Sequence, residues 1–91
     1  MLEFDTSTQF RKDYGRLTKS SRYPDFEVRF QVLAFLLLSG EQLPARYKEH
    51  KLIGKYVGCH ECHLAPDLML IYRYATKYVE LIRVGTHADL F

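Results

Sequence analysis

The spacing of apolar positions divides the chain into a helical first half and a strand-rich second half. In "LEFD", Leu2 and Phe4 alternate with acids, the period of a short strand. The period then lengthens. Phe10, Tyr14 and Leu17 recur at i, i+4 and i+7, which places them on one face of a helix. Thr6 and Gln9 have the spacing of a capping box at its start, and Gly15 within it costs about 1 kcal/mol relative to alanine. A second helix is expected after Pro24, a residue suited to the first helical position, with Asp25 and Glu27 at the positive end of the dipole. Phe26, Phe30, Leu33 and Leu37 form its buried stripe, and Gly40 stands where a C-terminal cap belongs.

"GEQLPARYKEHKLIG" (Gly40 to Gly54) is polar and basic and reads as a loop. Beyond it the period is two. Strands are expected over 55–64, 68–74 and 78–84, joined by the turns "APD" and "ATK". "LMLIYRY" (Leu68 to Tyr74) is apolar enough to be buried on both faces. Short turns make the three strands an antiparallel meander. Helices followed by a meander predict an α+β fold, with two N-terminal helices packed on one face of a small antiparallel sheet. At 91 residues, positions 1–91 form one domain.

Composition adds little to this picture: 47% apolar and 26% charged residues describe an ordinary soluble protein. "VLAFLLL" (Val32 to Leu38), the longest apolar block, is too short to span a bilayer, and Glu3 and Asp5 interrupt any signal-peptide core. A cytoplasmic protein with no membrane partner is expected. The net charge of +2 makes no case for nucleic acid, but its distribution is uneven. Arg11, Lys12, Arg16, Lys19 and Arg22 cluster against a single acid, Asp13, and Arg46, Lys48, Lys51 and Lys55 surround His50. Two such clusters could hold phosphates, and on charge alone solvated surfaces account for them equally well.

"GCHECHLAPD" holds both cysteines and two of the four histidines, so a zinc site must be tested. A structural zinc needs four converging ligands, with its Cys-x-x-Cys pair on a tight turn. On an extended strand side chains alternate, so Cys59, Glu61 and His63 point one way and His60 and Cys62 the other. No third cysteine exists to complete a second pair, and no metal is expected. The cysteines read as small buried thiols.

The titratable residues left to explain are His50, His63, Asp67, Arg83 and His87. In a meander, the end of 55–64, the start of 68–74 and the end of 78–84 share one edge, so His63, Asp67, Arg83 and His87 gather at one end of the sheet. Such a set suits RNA cleavage by the neighbouring 2′-OH. The reaction needs a base for that hydroxyl, an acid for the departing 5′-oxygen and positive charge on the phosphorane. Histidine serves either proton-transfer role near neutral pH, and arginine can grip phosphate oxygens. Each residue also has an ordinary account: a solvated histidine, a turn aspartate after Pro66, an arginine paired with Glu80 or Glu61.

The motifs resolve that choice by resemblance. His50 before Leu52 to Gly54, the segment His60 to His63, Pro66-Asp67, Ile71-Tyr72, Arg83 to His87 and the closing Leu90-Phe91 resemble the YafQ branch of the RelE/ParE toxin superfamily. The likeness is detailed in the C-terminal half and one of pattern in the helical half. It implies a RelE-like, microbial ribonuclease-type fold and a type II toxin that cleaves translated mRNA in the ribosomal A site without metal or cofactor. By position, His50, His63, Asp67 and His87 would be the acid–base set, with His50 or Asp67 toward the 2′-OH and His87 toward the leaving oxygen. Arg83 would bind the scissile phosphate, and Phe91 would help place the substrate. Lys48, Lys51 and Lys55 would add substrate contacts, and the basic clusters would hold mRNA and 16S rRNA phosphates. The implied partners are a cognate antitoxin, whose acidic and partly disordered segment covers the site, the ribosome with its mRNA, and operator DNA reached only through the antitoxin. Some relatives carry Trp after the turn Asp; Leu68 stands there in this chain, so no aromatic stack can come from that position. The alternatives are a gyrase-directed, ParE-like toxin, which would lack the acid–base set, and a small binding module without catalysis.

Overall fold

The computed structural model describes residues 2–91. Strands β1 (Glu3–Thr6), β2 (His50–Lys51), β3 (His60–Ala65), β4 (Leu68–Tyr74) and β5 (Tyr78–Gly85) form one five-stranded sheet in the spatial order β1-β5-β4-β3-β2. The β3–β4–β5 meander is antiparallel, as its short turns predict. The sheet as a whole is mixed, because β1 lies parallel to β5 with Phe4 opposite Val79. The expected antiparallel sheet therefore gains a parallel edge, through a pairing that joins the two ends of the chain and leaves no local sequence signal.

Helices α1 (Thr8–Thr18) and α2 (Phe26–Ser39) cover one face, which establishes the α+β fold. Phe10, Leu17, Phe26, Phe30, Leu33 and Leu37 from the helices meet Cys62, Leu64, Leu68, Leu70, Tyr72, Val79, Leu81 and Val84 from the sheet. Gly40 caps α2 in the left-handed conformation (φ 74°), as glycine there allows. Two helix starts differ from expectation. Ser7 caps α1: its Oγ accepts from the Phe10 N–H at 2.9 Å and donates to the Ile82 carbonyl at 2.7 Å. Thr6 ends β1, and Gln9 turns to Asp13 instead of closing a capping box. α2 begins at Phe26, two residues after Pro24.

The strand expected from Lys55 begins only at His60. Gly54 (φ 75°) and Gly58 (φ 88°) take left-handed conformations that break an extended run, and Gly54–Tyr56 forms a 3-10 turn. That turn brings Tyr56 onto the second face of the sheet. There a small core of Tyr56, Cys59, Met69, Ile71 and Leu90 forms beneath the short helix α3 (His87–Leu90). Among the described residues no helix is long and apolar enough to cross a membrane.

Candidate active site

Strand register lays a row of side chains across that second face. His50 pairs with Glu61, Glu61 with Ile71, and Ile71 with Arg83. Directly opposed residues share a face, so all four project to the same side. At about 4.8 Å per strand, the row spans roughly 14 Å of backbone. One pleat along, His63, Met69 and Gly85 form a second row, and Gly85 leads through Thr86 to His87.

Glu61 organises one end of this face. It is buried, and its Oε1 lies 3.3 Å from His50 Nε2 and 3.9 Å from His63 Nε2. Its Oε2 is buried with no hydrogen-bond partner. Each histidine has a carbonyl on its other side, the Lys48 oxygen 3.1 Å from His50 Nδ1 and the Pro66 oxygen 3.3 Å from His63 Nδ1. Lys48 reaches that position from a left-handed backbone (φ 50°) after the 3-10 turn Ala45–Tyr47. A neutral imidazole can donate to only one of its two neighbours; donation to both needs the imidazolium. Each ring therefore has an oxygen beside both of its nitrogens.

Arg83 anchors the other end, and its partner is neither Glu80 nor Glu61. Its Nε donates to Asp13 Oδ2 at 2.7 Å and its Nη2 to Asp13 Oδ1 at 3.2 Å. Burial alone would raise the Asp13 pKa, but hydrogen bonds from Arg83, Gln9 and the Val84 N–H outweigh it and hold the carboxyl below its ordinary value. The Tyr56 hydroxyl lies beside the same guanidinium. His87, exposed at the first position of α3, lies against Phe91 with ring centroids 5.0 Å apart and planes tilted by 32°, and Phe91 meets the Tyr56 ring edge-on at 5.7 Å.

Asp67 lies in the β3–β4 turn at the same end of the sheet, but its carboxylate faces Arg22 at 3.4 Å and meets no histidine. Lys48, Lys51 and Lys55 are exposed around the His50 side, and the Lys55 ammonium lies over the Tyr56 ring at 5.4 Å. The Cys59–His63 run is divided as strand alternation predicts. Glu61 and His63 join the site, while Cys59 and Cys62 enter the small and large cores respectively. His60 turns to the helix side, pairs with Glu49 and stacks on Tyr72. Burial pushes the Cys62 thiol well above its usual pKa. Among the described residues, no three His, Cys, Asp or Glu side chains are grouped so as to hold a metal ion.

The model of the bacterial toxin of type II toxin–antitoxin system, YafQ, matches residues 2–91. The chain belongs to the YafQ toxin family. It is 35% identical over 89 residues to the mRNA interferase toxin YafQ of Escherichia coli strain K12, covering 98% of this chain and 95% of that one. The crystal structure of a YafQ mutant from E. coli superposes with a TM-score of 0.85 at 35% identity, over 100% of this chain and 99% of that one. YafQ in the E. coli DinJ–YafQ complex gives 0.84 at 36% identity, with the same coverage. For this YafQ-family toxin, reading by residue type overlooked three residues that hold or join the candidate site groups. Glu61 had its signal in the strand alternation that sets it beside His63. Asp13 had one as the lone acid in a basic cluster. Tyr56 had none, since a turn between glycines delivers it.

Proposed function

We propose that this toxin is an endoribonuclease that cleaves translated mRNA in the ribosomal A site by general acid–base catalysis. The row His50–Glu61–Ile71–Arg83, with His63 one pleat away and His87 in α3 just beyond the end of β5, is the observation that carries this reading. His50 or Asp67 takes the proton of the 2′-OH, and the 2′-oxygen attacks the adjacent phosphorus. The P–O5′ bond breaks, His87 donates a proton to the leaving 5′-oxygen, and a 2′,3′-cyclic phosphate remains. Of the two possible bases, His50 is favoured because Glu61 stands ready to balance the charge that it gains, whereas Asp67 is turned to Arg22. Each proton transfer contributes ~10²–10⁴-fold. Arg83 meets the charge that builds on the non-bridging oxygens, in a site whose apolar floor of Met69 and Ile71 strengthens that interaction. The chemistry calls on no metal or cofactor.

Phe91, backed by Tyr56, offers a face on which a base can stack, and so replaces what Leu68 cannot supply. Leu68 is fully buried, and Tyr72 lies with it in the large core on the helix side. Lys48, Lys51 and Lys55 hold mRNA phosphates, and with the α1 cluster they hold 16S rRNA, so binding weakens as salt rises. A cognate antitoxin, with an acidic and partly disordered segment, covers the site in the cytoplasm and carries the complex to operator DNA; the DinJ–YafQ complex of the E. coli relative supports such a partner.

The test is an in vitro translation reaction with purified toxin, in which mRNA breaks are mapped by primer extension. His87→Ala runs beside the wild type, with naked mRNA as a third lane. In-frame cuts that need ribosomes and drop at least ~100-fold in the variant are expected. Intact mRNA with a folded wild-type toxin would remove the ribonuclease reading and turn attention to gyrase.

A further inference from the structure

Asp13 performs no proton transfer in that mechanism, yet among the described residues it is the most heavily bonded carboxylate. It is fully buried and accepts from Arg83 Nε and Nη2, the Val84 N–H, Gln9 Nε2 and Arg16 Nη2. β1 pairs with β5 only as far as Leu81, and α1 takes over the open edge beyond it. Ser7 Oγ binds the Ile82 carbonyl, and Asp13 binds the Val84 N–H. The helix thus grips the backbone on both sides of Arg83 and the side chain of Arg83 itself.

A structural duty explains only part of this. The Val84 N–H needs one acceptor, which an asparagine or serine oxygen would supply. The second oxygen and the full negative charge serve chiefly the side-on hold on the Arg83 guanidinium, since the other cation on Asp13, Arg16, is half exposed and contributes little. That hold occupies Nε and one edge of Nη2; the outer edge of the guanidinium, beside the Tyr56 hydroxyl, carries the Nη1 and second Nη2 hydrogens that can turn to a ligand. Arg83 shares its row with Glu61 and His50, so those donors are presented on the same face as the histidines.

We infer that Asp13 is a positioning residue: through Arg83 Nε and Nη2 it fixes the guanidinium so that the free edge meets the scissile phosphate. The inference rests on the reading of Arg83 as the phosphate-binding group. An arginine held in place before the substrate arrives needs no reordering as charge develops, whereas a loose one must be ordered during the reaction.

The experiment measures cleavage of mRNA on programmed ribosomes in single turnover, as a function of ribosome concentration. It compares wild type, Arg83→Ala, Asp13→Asn and the double variant, each checked for folding by circular dichroism. Arg83→Ala is expected to lower the saturating rate about 100-fold. Asp13→Asn should lower it roughly 10-fold, with half-saturation changed less than about twofold, and should cause no further loss in the Arg83→Ala background. A full rate in Arg83→Ala would overturn the Arg83 reading and this inference with it. A slow Arg83→Ala beside a full-rate Asp13→Asn, or equal losses from Asp13→Asn in both backgrounds, would overturn the inference alone. Should Asp13→Asn not fold, ¹⁵N NMR of the wild type decides. Arg83 Nε–H is expected to be resolved and slow to exchange at neutral pH, and exchange as fast as that of exposed Arg22 would sink the proposal.

Discussion

On the helix side of the sheet β3 contributes Cys62 and Leu64, and on the other side the same strand contributes Glu61 and His63. β5 divides in the same way, with Val79, Leu81 and Val84 beneath α1 and α2 and Arg83 on the opposite face. β4 is apolar toward both, giving Leu68, Leu70 and Tyr72 to the large core and Met69 and Ile71 to the small one, to which β5 adds Ile82. One face is therefore a thick apolar layer that specifies the fold. The other is a thin apolar floor with charged groups on either shoulder. The lesson is that the site borrows its rigidity: the strands that carry its side chains are held from behind, so the working face can spend its positions on ionisable groups whose own contribution to stability is small.

The largest expected effect tests the thick layer against the thin one. Leu33→Ala empties a fully buried position between the helices and the sheet and should cost about 3–5 kcal/mol. Leu90→Ala removes an equally large side chain from the small core, but the four-residue α3 can settle or fray around the gap, so the cost should fall near about 2 kcal/mol. Urea denaturation of both variants measures the difference. Equal losses would mean that the second face is as much a core as the first.

Glu61→Gln comes next and separates function from stability. The change keeps the shape and removes the charge between His50 and His63. Cleavage should fall roughly 10- to 100-fold while stability stays within about 1 kcal/mol, because Oε2 is already buried without a partner and His50 is half exposed. A large loss of stability with cleavage intact would make Glu61 a fold residue and undo the contrast between the faces.

What the sequence shows of these faces follows the range of the forces involved. α2 and its Gly40 cap are legible because a 3.6-residue stripe and a left-handed cap are local matters, and β4 is legible because it is apolar throughout. The parallel pairing of β1 with β5 is not, since it depends on partners about 75 residues apart. His50, His63, Arg83 and His87 stand out by residue type. Asp13 does not, because its meaning comes from Arg83, and the same separation hides it. The break before His60 was signalled by Gly54 and Gly58, but a glycine announces permission for a left-handed turn and not its use.

The smallest effect concerns the element that presents His87 and Phe91. A helix of four residues has almost no stability of its own, so α3 depends on Leu90 beneath it and on its capping box. Thr86 Oγ accepts from the Asp89 N–H at 3.2 Å, and Asp89 accepts from the Thr86 N–H at 3.1 Å. Hydrogen bonding to the Asp89 carboxylate from the Thr86 backbone N–H, and then from the Thr86 hydroxyl, holds its pKa below the ordinary value. A carboxylate depressed in this way stabilises the folded state fully above the unfolded value of about 3.9, and the contribution disappears as pH falls through the lower folded value. Asp89→Ala should therefore cost roughly 0.5–1 kcal/mol at neutral pH and progressively less below pH ~4, so that the two stability curves converge in acid. Denaturation at a series of pH values checks this. Cleavage at neutral pH should drop only about two- to threefold, since His87 keeps its place on Phe91 for most of the time. A loss as deep as that of His87→Ala would mean that the cap, and not the Phe91 ring, holds His87 in position.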